Sequence, residues 1–183
     1  TLDQQARFEL ADDSLSAGLT KRWEGDYAGA IVDFTQVIAY LPDWDEGYAQ
    51  RADCYLKLLA NQRSQAEYLS YLDLARQDYD TAIRLAPSNG RYYYSRFLVY
   101  DYLAHAETYR VDAQALEEIA FDNLVWSNYL GNYQEYSDRN VGLTLVILGR
   151  CDEALQVGLA LEAEAPEPSA TINTILSLAY ACQ

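Results

Sequence analysis

Apolar and small residues recur along the chain at intervals of three and four, and three stretches share one rhythm. The first is Gly25-Asp26-Tyr27 followed by Ala30, Ile31, Phe34 and Val37 and closed by Pro42. The second runs Ala75, Tyr79, Ala82, Ile83 to Pro87, and the third Gly149, Ala154, Leu155, Gly158, Leu161 to Pro166. Such spacing places these side chains on one face of an α-helix, and the proline that follows cannot continue the helical ladder. Residues able to cap a new helix stand after each proline: Asp43 or Asp45, Ser88 or Asn89, and Ser169. A second kind of stripe lies between these. It reads Tyr48-x-x-Arg51-Ala52-x-x-Tyr55-x-x-Leu58 and returns 45 residues later as Tyr93-x-x-Arg96-Phe97-x-x-Tyr100-x-x-Leu103. A shorter version, Val141-Gly142-x-x-Leu145-x-x-Leu148, runs straight into Gly149. Helices of two kinds therefore alternate, and the chain reads as all-α.

The pattern resembles the tetratricopeptide repeat, a helix-turn-helix unit of about 34 residues with a small residue in its first helix and an A-x3-F…P signature in its second. Gly25 to Pro42 matches the second half of that unit, and Val141 to Pro166 spans nearly a whole one, with Gly142 as the small residue. The intervals from Pro42 to Pro87 and from Pro87 to Pro166 are 45 and 79 residues, eleven more than one and two units of about 34. Eleven residues make about three helical turns, so an insertion of that length keeps the apolar face in phase.

The repeats are placed at 11–44, 45–89 with an insertion around Leu59 to Leu69, 90–134 with an irregular second helix within Asp112 to Trp126, and 135–168. A capping helix at 169–181 presents Ile172, Ile175, Leu176 and Ala179. Ser14 and Lys21 stand where the family places large apolar residues, so the first helix is expected to be rotated or to extend back through Phe8. The resemblance implies a single domain over 1–183, a right-handed α-solenoid whose first helices line a concave groove, closed by a C-terminal cap.

Composition narrows the function. The formal net charge is −15 and the pI is near 4.2, which disfavours nucleic acid and anionic membranes, since both call for a surplus of Lys and Arg. No apolar run approaches the roughly 20 residues of a membrane span. The chain holds no Met, so Thr1 is not an encoded start and the chain is expected to be a processed product or a segment of something longer. Cys54, Cys151 and Cys182 form no C-x-x-C motif and show no metal-ligand spacing, and the one His, His105, lacks clustered partners, so no metal site or cofactor is expected. Glu117 with Glu118, and Asp152 with Glu153, read as solvated faces of amphipathic helices, and no catalytic constellation stands out.

Cys151 opens the second helix of repeat four and Cys182 ends the cap that returns beside it. A disulfide there would place the protein outside a reducing cytosol, which favours an exported or cell-surface setting over the cytoplasm; two buried thiols are the alternative.

What the resemblance implies for function is a non-enzymatic scaffold that binds a protein or peptide in its groove, with self-association left open. The alternative is a regulatory or oligomerisation arm of a larger enzyme or ligand-binding protein. Most of Tyr48, Tyr55, Tyr93 and Tyr100 fall on the stripe facing the partner helix. The groove is expected to be lined by Arg91, Tyr94, Leu98 and Tyr102 from repeat three and by Tyr136, Arg139, Leu143 and Ile147 from repeat four. Ala49, Asp53, Tyr94 and Leu98 occupy positions where relatives that hold acidic chaperone tails carry Lys and Asn, which argues against that cargo.

Overall fold

The computed structural model describes residues 3–61, 64–106, 113–131, 134–164 and 170–182, with the side chains of 134–139 and 164 outside that description. Those residues form helices and their connections, without a strand. In chain order the helices are α1 (Gln4–Glu24), α2 (Tyr27–Tyr40), α3 (Asp45–Leu58), α4 (Gln65–Leu85), α5 (Gly90–His105), α6 (Ala113–Tyr129), α7 (Gln134–Ile147), α8 (Cys151–Glu164) and α9 (Ala170–Cys182). They fall into two compact units, Thr1–Ser88 and Asn89–Gln183. Within each unit every helix packs on the next, and α7 also packs on α9.

Helix α1 runs back through Phe8, whose ring stacks on Trp44 at 6.0 Å. Small residues explain how α1 meets α2. Ala11 and Gly18 are buried, and a Cβ placed on Gly18 would lie 2.6 Å from Phe34 Cε1. The aromatic ring of α2 thus occupies the space that a side chain would take. Lys21, at a position expected to be apolar, instead reaches Asp33 of α2 at 2.7 Å. Phe34, Ala30, Val37 and Cys54 form a fully buried cluster with Leu15, Tyr27, Ile31 and Trp44 around it. Each large apolar side chain so buried contributes about 1.5–3 kcal/mol.

The turn between α1 and α2 follows from its sequence. Gly25 adopts φ +86°, and the amides of Gly25 and Asp26 return to the carbonyls of Arg22 and Lys21. Asp26 then caps α2 by accepting from the Gly29 amide at 2.9 Å. The same turn recurs at Gly149, φ +70°, where Gly149 and Arg150 bond back to Val146 and Leu145. That is why Gly25 and Gly149 hold equivalent places in the rhythm. Helix α3 starts differently: Trp44 is its N-cap residue and makes no side-chain cap bond, while Asp45 and Glu46 sit in the first turn, where the helix dipole favours negative charge. Asn89 caps α5 through the Arg91 amide.

The extra residues after α3 form a 3-10 turn at Leu59–Asn61 and an early start to α4, which begins after the Ser64 cap and runs 21 residues. In the second unit, Phe97, Ala120 and Leu124 form one core cluster and Leu145, Ala154 and Ala179 another. Ile175 and Leu176 of α9 lie against Gly142 and Gly158, where a Cβ would meet them at 2.9 and 2.7 Å. The sulfurs of Cys151 and Cys182 are bonded, with their Cα atoms 5.8 Å apart, which ties the start of α8 to the end of α9.

Candidate functional site on α5 and α7

Helices α5 and α7, the first helices of the two repeats placed in this unit, are tied by a hydrogen bond from Asn140 Nδ2 to Tyr94 Oη at 3.2 Å. Val141 of α7 joins Tyr94, Leu98 and Tyr100 of α5 around the buried Phe97, Ala120 and Leu124. Tyr94 is half-buried and its ring tilts against Phe97 at 5.8 Å. It forms a wall of the face rather than a free anchor. Leu98, Arg91 and Leu143 are likewise half-buried, whereas Tyr102 and Ile147 are 39% and 55% exposed. Tyr136 and Arg139 are carried by α7, and their side chains lie outside the described residues.

The tyrosine run 92–94 divides by helical phase. Tyr92 is 1% exposed, and nothing in the periodicity marked it as core. Tyr93 turns toward α6, where its ring stacks on Trp126 at 6.2 Å and the Arg96 guanidinium lies 5.6 Å from its centre. Arg96 also donates to the buried Asn123 of α6.

Two expectations from sequence are overturned at the other end of α5. Glu117 does not lie on a solvated face: it is 5% exposed, because Glu117, Ala120, Leu124 and Ser127 share the inward stripe of α6. Glu118, Asp152 and Glu153 are exposed. Nor is His105 without neighbours. Its Nδ1 lies 3.7 Å from Asp101 Oδ1, one turn back on α5, and 3.9 Å from Glu117 Oε1, brought in by the packing of α6. Linear spacing shows the first of these neighbours and hides the second. The bond of Nδ1 to the Asp101 carbonyl, 2.7 Å long, is the main cause that raises the His105 pKa, and the two carboxylates add to it against a desolvation that lowers it. Burial pushes the Glu117 carboxyl above its ordinary range, helped by the nearby Asp101 charge.

No protein-family model and no curated protein matches the chain. Solved structures do. The crystal structure of MamA protein superposes with a TM-score of 0.72 at 18% identity, over 95% of this chain and 82% of that one. TTC0263, a thermophilic tetratricopeptide repeat protein of Thermus thermophilus, gives 0.63 at 21% identity, over 98% and 82%. The first tetratricopeptide repeat domain of Spaghetti (RPAP3), solved bound to an HSP90 peptide, gives 0.59 at 18%, over 80% and 96%. With helix pairs repeating through the chain and these neighbours spanning most of its length, the chain has the fold of a tetratricopeptide-repeat protein.

Proposed function

We propose that the chain is a non-enzymatic interaction scaffold whose α5–α7 face holds an extended peptide. Arg91, Tyr94, Leu98 and Tyr102 contribute from α5, and Tyr136, Arg139, Leu143 and Ile147 from α7. The observation that carries this reading is that two first helices are joined through Tyr94 and Asn140 while Tyr102 and Ile147 keep large apolar surfaces in solvent. Exposed apolar groups on two joined helices suit a partner that covers them. Within the same fold, the Spaghetti (RPAP3) domain holds a peptide, which supports the assignment by analogy of architecture. Arg91 and Arg139 would supply a basic edge for a carboxylate of that peptide. The disulfide suits a protein that works in an oxidising compartment.

The test is selection from a displayed library of random linear peptides, followed by affinity measurement of the selected peptides with Tyr102→Ala/Ile147→Ser protein. Both substituted side chains are exposed, so helicity and melting temperature should hold while affinity falls by about ten-fold or more. Peptides that bind the variant as well as the parent protein would place recognition elsewhere.

A further inference from the structure

Asp101, His105 and Glu117 come together at the end of α5 with ligand atoms within 4.8 Å of one another. Asp101 and His105 are four residues apart, which puts both on one face of α5, and Glu117 arrives from α6. This is how helical bundles assemble ion sites, from a same-face pair on one helix and a carboxylate on its neighbour. Glu117 provides a second, separate sign. Its side chain is only 7% exposed, its Oε1 lies 3.9 Å from the imidazole Nδ1, and its other oxygen, Oε2, is buried without a hydrogen-bond partner. A buried carboxylate oxygen left unsatisfied is costly, and a cation is the group that would satisfy it.

We propose that these three residues bind one divalent transition-metal ion of the Zn2+ class. The ring nitrogen that faces Asp101 Oδ1 and Glu117 Oε1, at 3.7 and 3.9 Å, is His105 Nδ1, which in the metal-free chain donates to the Asp101 carbonyl at 2.7 Å; uptake of the ion exchanges that bond for the metal and leaves the ring proton on Nε2. The donor set of one imidazole and two carboxylates suits Zn2+ and its neighbours better than Mg2+ or Ca2+, which favour oxygen alone. Charge balance favours the metal over a proton. Protonating the imidazole offsets one of two carboxylate charges, whereas a divalent ion offsets both and leaves the ring neutral. An open pocket of about 490 Å3, lined in part by His105, Gln114, Glu117, Ile147 and Leu148, gives the ion an entry path and room for water as a further ligand. The strongly negative chain as a whole draws cations toward it.

The experiment uses the whole chain freed of metal by chelation, with ZnCl2 alone as the probe. His105 is the one histidine present, so its imidazole proton resonances report this location. One equivalent of Zn2+ at about pH 7.5 should shift both resonances to saturation, and His105→Gln and Glu117→Gln should each weaken calorimetrically measured binding by about ten-fold or more. The imidazole is largely exposed, so His105→Gln keeps the fold; if Glu117→Gln does not fold, Asp101→Asn replaces it. Imidazole resonances unmoved by one equivalent, or uptake that survives the substitutions, would overturn the proposal in favour of diffuse binding to acidic surface.

Discussion

Arg96 reaches across 27 residues to Asn123 at 2.7 Å, and Arg51, 45 residues earlier in the chain, makes the same reach across 27 residues to Asp78 at 2.8 Å. The pair is one device used twice within the chain: α5 is bound to α6 as α3 is bound to α4, with an amide acceptor in one copy and a carboxylate in the other. In the charged copy the guanidinium holds both Asp78 oxygens and also donates to Thr35 of α2.

Removing the acceptor in the charged copy leaves Arg51 partly buried without its main partner. Asp78→Ala should lower stability by about 3 kcal/mol, read as a shift of the urea midpoint at constant slope. Asp78→Asn should cost about 1 kcal/mol, because it keeps one acceptor, as Asn123 does for Arg96. Equal losses in the two variants would assign the effect to ion pairing rather than to the hydrogen bond.

The meeting of α1 and α2 depends on an absent side chain. Gly18→Ala places a methyl against the Phe34 ring within the core, and a cost of about 1–3 kcal/mol is expected. Gly18→Ala/Phe34→Leu should recover part of it, since the smaller side chain vacates the contested space. Thermal unfolding of the single and double variants checks this.

The bond between Cys151 and Cys182 predicts an intact mass about two hydrogens below that of the reduced chain. Opening this 31-residue separation should destabilise the α8–α9 end by about 4 kcal/mol in the chain-entropy account. Protein isolated without reductant that carries three free thiols would contradict the assignment and remove the argument for an oxidising compartment.

His105 should titrate above its ordinary value of about 6.5, since the Asp101 carbonyl and the charges of Asp101 and Glu117 favour the imidazolium. A histidine whose folded pKa is raised adds stability that is complete below the unfolded pKa and is lost as pH rises through the folded one. Metal-free protein should therefore melt slightly higher below about pH 6 than above about pH 8 on account of this group. Glu117→Gln should move the imidazole titration, followed by NMR, back toward its ordinary value.

Much of the architecture was legible because helices of this kind announce themselves by phase. Ala30, Phe34 and Val37 marked the inward face of α2, and Ile175, Leu176 and Ala179 that of α9. What stayed hidden had no phase to read or depended on contacts distant in sequence. Phase set Tyr93 on the stripe and Tyr94 off it, but it did not mark Tyr92 as core, and the packing of Tyr94 on Phe97 and its bond with Asn140 arise from side-chain contacts that phase does not show. Glu117 beside Glu118 looks like solvated charge, although Ala120 and Leu124 already marked its stripe as buried. The approach of Glu117 to His105 is a product of how α6 lies on α5, which no spacing along one helix encodes.

Cys54 lies fully buried in the α2–α3 cluster, and burial pushes its thiol up to about 12. At neutral pH it is therefore almost entirely protonated and shielded, and an alkylating reagent has nothing to attack until the surrounding helices part. With the other two sulfurs joined, this one thiol becomes a clock for the first unit: the rate at which it is modified in otherwise native conditions measures how often α2 and α3 separate.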